Sequence, residues 1–391
     1  MTIARSFSAA QGRPPTLLRK LLRFNWAIAI LLFAIASVGF LMLFSVADGD
    51  VDPWARRQMT RFAVGFAAMV VVALIDLRFW KATTPIFYLG ALGALVAVEV
   101  AGVTGMGAQR WLEVGPMRLQ PSELMKVALI LALARYYAWL PEEKTSHPLW
   151  LIPPIVLILL PVALVLKQPD LGTAILLSAG GIVVLFLAGV SWWYFGAGAA
   201  ALGGTVFAVI SSRGTEWQLL KDYQFRRIEV FLDPSQDPLG AGYHITQSTI
   251  ALGSGGLSGR GFMEGTQSRL NFLPEKHTDF IFTTLAEEFG FVGGATLLAL
   301  YALVIVFCFA SMFANRDRFG ALVTGGLALT FFFFFAVNVS MVLGLAPVVG
   351  VPLPLVSYGG SAMLVLLFAF GLIQCAHIHR RDPQAQTDRR G

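Results

Sequence analysis

Five stretches of this chain contain no Asp, Glu, Lys or Arg at all: Trp26 to Ala47, Pro148 to Leu166, Leu171 to Ser212, Phe289 to Asn315 and Phe319 to His379. A helix crosses the hydrocarbon core of a bilayer, roughly 30 Å, in about 20 residues. Runs of this length and composition exclude a soluble domain, and only 13% of the 391 residues are charged, about half the share a soluble chain carries. The expected fold is an all-α polytopic membrane protein of about ten transmembrane helices with one large extracytoplasmic loop.

Spans are expected over Trp26 to Ala47, Phe62 to Ile75 (completed by Met59 or Leu77), Thr84 to Val103, Ser122 to Leu140 and Pro148 to Leu166. The run Leu171 to Ser212 holds two, folded near Gly189; the rest are about Asp279 to Phe313, Phe319 to Gly344 and Gly360 to His377. Ten spans put both termini on one side. The termini and short loops of that side hold 15 Lys and Arg residues against seven on the other, so the positive-inside bias predicts cytoplasmic tails at residues 1–25 and 381–391 around a membrane domain, 26–380. Ser45 and Ala47 resemble a signal-peptidase site, but the apolar run before them exceeds the about 7 to 15 residues of a signal peptide, and a retained anchor is expected.

That topology makes 213–278 the large extracytoplasmic loop. Arg213 to Glu288 carries 17 of the 52 charges, close to soluble density. Its centre, Gly253-Ser-Gly-Gly-Leu-Ser-Gly-Arg-Gly261, lacks the lysine and spacing of a phosphate-binding P-loop and is expected to be a flexible turn. Cys308 and Cys375 lie in apolar runs and read as small buried hydrophobes, not a disulfide framework. The net charge of +6 fits a basic membrane face, with no nucleic-acid partner.

Ionisable groups at span ends are the informative ones, because a charge in the bilayer centre costs about 2.5 to 3.5 kcal/mol even on the mildest scale. Four clusters stand out, all on the predicted outer side. In the first, Arg110 precedes Gln120-Pro-Ser-Glu-Leu-Met-Lys126, with Glu123 and Lys126 on one helix face, either as an internal ion pair or as a binding element. The second is Lys167-Gln168-Pro169-Asp170, read alone as a turn with Asp170 capping the next helix. In the third, Phe272 to Phe280, Pro274 suits a first helical position, with Glu275 and Asp279 on one face, as dipole complements or as catalytic groups. The fourth, Pro352-Leu-Pro-Leu-Val-Ser-Tyr-Gly-Gly-Ser361, includes Ser357. Its broken backbone must be buried in protein or line a cavity.

Gln120 to Glu123, Lys167 to Thr173, Phe272 to Gly290 and Asn338 to Ser361 strongly resemble the SEDS family of bacterial cell-shape, division and sporulation proteins. Asp233 to His244 and Gly265 to Ser268 resemble its elongation branch. The resemblance runs from about Arg23 to Arg380. It implies a ten-helix glycosyltransferase of the bacterial cytoplasmic (inner) membrane, facing outward, that polymerises lipid II into peptidoglycan glycan strands. It implies a class B penicillin-binding transpeptidase as partner, alongside the elongation machinery, and a divalent cation (Mg or Mn) without an organic cofactor. It makes Asp279 the residue on which polymerisation depends, and Glu123, Lys126, Lys167, Gln168 and Asp170 polar positions of the outer cavity.

Glycoside hydrolysis generally needs two carboxylates, because the leaving alcohol must be protonated. A diphosphate leaves once its charge is neutralised, so one carboxylate and nearby cations suffice. Asp279 is the expected general base for the acceptor 4-hydroxyl, with Lys126, Lys167 and Arg110 as candidate diphosphate contacts. His277 and Ser357 join them as candidate substrate-binding groups, His277 having a capping role as its rival reading. A lipid II flippase and a non-catalytic scaffold for the transpeptidase are the alternatives. The gathering of polar clusters on one membrane face favours the enzyme over a flippase, whose path needs polar groups through the whole depth.

Overall fold

The structure, a computed structural model, describes residues 17–105, 108–115, 117–215, 217–218, 225, 241–270 and 276–380. Helix α1 (Leu17–Leu22) leads into α2 (Trp26–Val46), α3 (Ala55–Leu74) and α4 (Leu77–Ala101). After a small sheet come α5 (Pro121–Trp139), α6 (Pro148–Lys167), α7 (Leu171–Leu187) and α8 (Trp192–Ser211). Two loop helices, α9 (Ala241–Gly255) and α10 (Thr266–Arg269), precede α11 (Ile281–Phe313), α12 (Arg318–Val342) and α13 (Gly360–Ile378). A helix thus lies over each expected span. Eight are long and apolar enough to cross a membrane; α7 is shorter, and α5 carries Glu123, Lys126 and Arg135. Helix α3 completes its short apolar run through Met59, not Leu77. Residues 1–16 of the expected N-terminal tail, the whole C-terminal tail (381–391), most of the 233–244 motif, and Pro274 and Glu275 lie outside the described residues.

Local chemistry sets the helix starts. Asp76 Oδ1 accepts from Arg78 N (2.8 Å), Asp170 Oδ1 from Thr173 N (3.1 Å) and Asp317 Oδ2 from Gly320 N (3.0 Å), each meeting an orphan donor of a first turn. Pro121 and Pro148 open α5 and α6, where the missing N–H costs nothing. Between helices, small residues permit close contact, the usual device where lipid removes the hydrophobic drive. A Cβ on Gly371 of α13 would meet Met69 O of α3 at 2.9 Å. In the core Tyr301 of α11 stacks on Phe335 of α12 at 4.7 Å, and its hydroxyl donates to Pro354 O (2.6 Å).

Two features depart from expectation. Between α4 and α5 the chain forms a three-stranded antiparallel sheet, β1 (Val103–Gly105), β2 (Ala108–Val114) and β3 (Met117–Leu119), in sequential order. Glu113 faces Arg118 across the second pair, their side chains 3.2 Å apart. The glycine-rich turn after α9 is not loose but clamped onto α11. Arg260 N and Gly261 N donate to Glu287 O and Glu288 O at 3.0 and 3.1 Å, while Phe291 N and Val292 N donate to Gly256 O and Leu257 O at 2.9 and 3.1 Å. The helix breaks at Gly290 (φ 64°, ψ −161°) to allow this exchange, a conformation essentially restricted to glycine.

A Cβ on Gly290 would lie 2.3 Å from Gly259 N. Gly290→Ala is therefore expected to cost at least about 2 kcal/mol from backbone strain and overpacking. The check is a lowered melting temperature of the detergent-purified protein together with new protease cleavage between residues 253 and 265; an unchanged melting temperature would refute the clamp.

Candidate active site

Between α12 and α13 residues 343–359 leave the helical path, because Pro347, Pro352 and Pro354 lack N–H donors and crowd the preceding turn. Side chains supply the hydrogen bonds that the broken backbone loses. Asn338 Nδ2 donates to Val351 O (2.7 Å) and Asp279 O (2.9 Å). Ser357 Oγ donates to Thr278 O (2.5 Å) and accepts from Leu353 N (2.8 Å). Gln58 Nε2 of α3 donates to Ser357 O (2.7 Å), and Tyr358 N to His277 O (2.9 Å). The segment 351–358 and the turn 276–280 are thereby fastened together.

Asp279 sits in that turn, half-buried and two residues before α11. The expectation of a helix begun by Pro274 is corrected here: residues 276–280 form turns, so Asp279 projects from a non-helical tip. A Cβ on Gly350 would stand 3.6 Å from Asp279 Oδ2, which places the carboxylate beside the positive-φ Gly350 turn. The His277 ring stacks on Trp54 at 4.7 Å and lies 6.2 Å from Tyr358. Lys276 is buried, and loss of water pushes its ammonium below the ordinary lysine range while nearby Asp48 pulls the other way.

Beneath segment 352–359 lies a cavity of about 50 Å³. Glu123, Lys126 and Ser357 line its polar part; Leu327, Phe331, Phe334, Val365 and Ala369 line the remainder. Lys126 Nζ meets Glu123 Oε1 at 2.7 Å and stands 3.9 Å from the Phe334 ring centre, with both charged side chains buried. Of the two readings of this pair, the internal ion pair describes its geometry, and it is also a wall of the cavity.

Arg110, Gln168 and Asp170 form a second knot. Arg110 Nε donates to Gln168 O (3.1 Å) and Nη2 to Pro169 O, and its guanidinium lies 3.8 Å from Asp170 Oδ2. Gln168 Nε2 donates to Leu95 O (3.1 Å). Asp170 caps α7 and takes Thr173 Oγ1 (3.0 Å) and Gln120 Nε2 (3.2 Å). Through these bonds the three side chains staple the sheet to the α6–α7 turn, and the Ser357 hydroxyl makes the two bonds given above. Lys167, the last residue of α6, is exposed and remains an available cation.

The knots communicate through Gln120, whose N–H donates to Ser361 Oγ (3.3 Å), and through Gly172, where a Cβ would meet Val349 O at 2.5 Å. Sequence reasoning assigned no role to Asn338, Gln58, Gln120 or Trp54. The available signal was a rare side-chain amide: Asn338 is the only Asn, and with Gln374 one of two amides, in the uncharged run Phe319 to His379. Among the described residues no three His, Cys, Asp or Glu side chains converge to hold a metal.

A family model for cell cycle proteins of the FtsW, RodA and SpoVE type matches residues 21–382. The peptidoglycan glycosyltransferase MrdB of Escherichia coli K12 is 44% identical over 356 residues, spanning 90% of this chain and 93% of its own. A solved chain from a study of how a peptidoglycan synthase complex coordinates polymerization and crosslinking is similar at a TM-score of 0.79 and 33% identity, covering 92% of this chain and 99% of its own. The rod shape determining protein RodA of Thermus thermophilus is similar at a TM-score of 0.68 and 30% identity, covering 92% and 98%.

Removing one partner of a buried ion pair strands the other charge, at a cost of about 3 to 5 kcal/mol, whereas replacing both is far milder. Lys126→Met alone is expected to lower the melting temperature sharply, and adding Glu123→Gln to recover most of the loss. Additive effects in this double-mutant cycle would show that the two side chains act independently.

Proposed function

The chain belongs to the FtsW, RodA and SpoVE family of cell cycle proteins, as its motifs predict, and on that premise we propose how it joins sugars. It is an integral membrane peptidoglycan glycosyltransferase, the activity its relative bears in name at 44% identity. Lipid II is the substrate of this reading. The 4-hydroxyl of the acceptor GlcNAc attacks C1 of the donor MurNAc, its proton passes to Asp279, and the C1–O bond breaks as undecaprenyl diphosphate departs with the electron pair. Displacement inverts C1 and leaves a β-1,4 link.

One observation carries this assignment: the turn bearing Asp279 is fastened at Thr278 O and His277 O to the roof of the cavity that Glu123 and Lys126 line, and at Asp279 O to Asn338 of α12. A general base must stand within about 3 Å of its proton in a productive pose, and a turn anchored three times holds such a position without rearrangement. General-base help supplies about 10²- to 10⁴-fold, so electrostatics must assist the departing diphosphate. Lys167, unpaired by any described carboxylate, is the stronger contact; Lys126 offers its remaining N–H donors from a charge already balanced by Glu123. The family's divalent cation finds no three-ligand set among the described residues, and the proton and phosphate steps above rest on the protein's own groups.

The excess of Lys and Arg on the side of the termini supports cytoplasmic tails and an outward-facing Asp279. A class B transpeptidase is the proposed partner, in keeping with the polymerization and crosslinking coordinated in the related complex. Transport of the lipid-linked precursor is the competing activity. Beyond Lys126, however, the cavity wall is Val127, Leu327, Phe331 and Ala369, with the Thr330 hydroxyl donating to Gly326 O (2.8 Å), a surface that favours a sugar headgroup little.

Asp279→Asn is expected to reduce glycan polymer formed from lipid II in detergent by about 10²- to 10⁴-fold, at an unchanged melting temperature because the turn is held by its backbone. Polymer at the parental rate would remove Asp279 as base. Precursor uptake into sealed vesicles without polymer would establish transport instead.

A further inference from the structure

A second cavity, of about 810 Å³, lies at the opposite end of the bundle between α4, α5 and α6. Its lining is apolar and aromatic, with Pro85, Tyr88, Leu89, Tyr136, Trp139 and Leu157, except for Thr84, whose hydroxyl donates to Trp80 O (2.7 Å), and two cations, Lys81 and Arg135. No Asp or Glu lines it, and neither cation makes an ion pair among the described residues. Arg135 is nonetheless fixed in place, because Nη1 donates to Lys81 O (2.6 Å) and Ala82 O (2.9 Å). Among the described residues its Nε and Nη2 donors have no protein acceptor, and the Lys81 ammonium has only the Phe319 ring, 5.8 Å away.

The walls are equally fixed. Tyr88 Oη donates to Leu157 O (2.8 Å) and Tyr136 Oη to Trp150 O (2.7 Å), so both rings stand as panels with their hydroxyls turned into the protein. Trp139 is 66% exposed and Leu89 63%, which opens the groove toward the lipid. Lys81 lies in the second turn of α4, past the first turn over which the helix dipole acts, so neither capping nor the dipole accounts for it. Two unbalanced cations above an apolar trough at the membrane boundary match one kind of molecule: negative at its head and hydrocarbon below. Basic pockets between membrane helices are suited to anionic headgroups.

We propose that this groove is a binding site for an anionic phospholipid, its headgroup phosphate held between Lys81 and the open edge of Arg135 and one acyl chain lying along Tyr88, Leu89 and Leu157. The site is far from Asp279 and independent of the glycosyl-transfer reading. It lies on the face carrying the short basic loops, so the leaflet on that side supplies the lipid.

The test uses the full chain in nanodiscs of mixed phosphatidylglycerol and phosphatidylcholine, with lipid retained on gentle release counted by native mass spectrometry. The parent is expected to retain phosphatidylglycerol in preference. Lys81→Gln, whose ammonium makes no hydrogen bond, should cut that preference about fivefold, as expected for one interfacial cation. Lys144→Gln, a cation of the same face outside the groove, should not change it, and Leu89→Trp, which fills the trough, should reduce retention of both lipids. Equal loss in Lys81→Gln and Lys144→Gln would overturn the proposal in favour of general surface charge. So would equal retention of the two lipids, or a photo-crosslinker at Leu89 that captures a partner's transmembrane helix in place of lipid.

Discussion

A polypeptide that abandons the helix inside a bilayer must find a partner for each freed N–H and C=O, because no water is present to take their place. The candidate active site is organised by that demand. Between α12 and α13 the backbone runs irregularly, and its bonds are closed by three uncharged side chains from separate helices, Asn338, Gln58 and Tyr301, and by one of its own, Ser357. Two of them, Asn338 and Ser357, reach across to the turn of Asp279. Satisfying the broken segment and positioning the carboxylate are one physical act.

The charged groups divide by the same logic. The deepest are paired, as Glu123 and Lys126 are, while the half-exposed Arg110 is held by backbone carbonyls of the α6–α7 turn and by Asp170. Pairing holds the electrostatic cost down. Asp279 and Lys167 keep some exposure.

The helices were legible because a span is dictated by length and apolarity, and turns at Gly189 and the helix-capping aspartates announce themselves by residue type. The position of the glycosyl-transfer motif was legible for a different reason: long ordered segments resembling a known family. The sheet at Val103 to Leu119 was not, since its strands are too short for alternation to stand out. The roles of Arg110, Gln168 and Ser357 were also hidden. A polar residue at a span end looks the same whether it faces a substrate or a neighbouring carbonyl; only the three-dimensional partner tells them apart. Asn338 was hidden by its surroundings, a single amide amid five consecutive phenylalanines and their apolar flanks.

The clamp between the glycine-rich turn and α11 bears on how the protein can be engineered. Tolerance to added sequence follows backbone hydrogen bonding, not loop appearance. Residues 256–261 look like an ideal place for an epitope tag or a fluorescent insert, yet their backbone groups complete the bonds that α11 gives up at Gly290. An insert there would strip a membrane span of its ladder at the break, and labels belong elsewhere on the molecule.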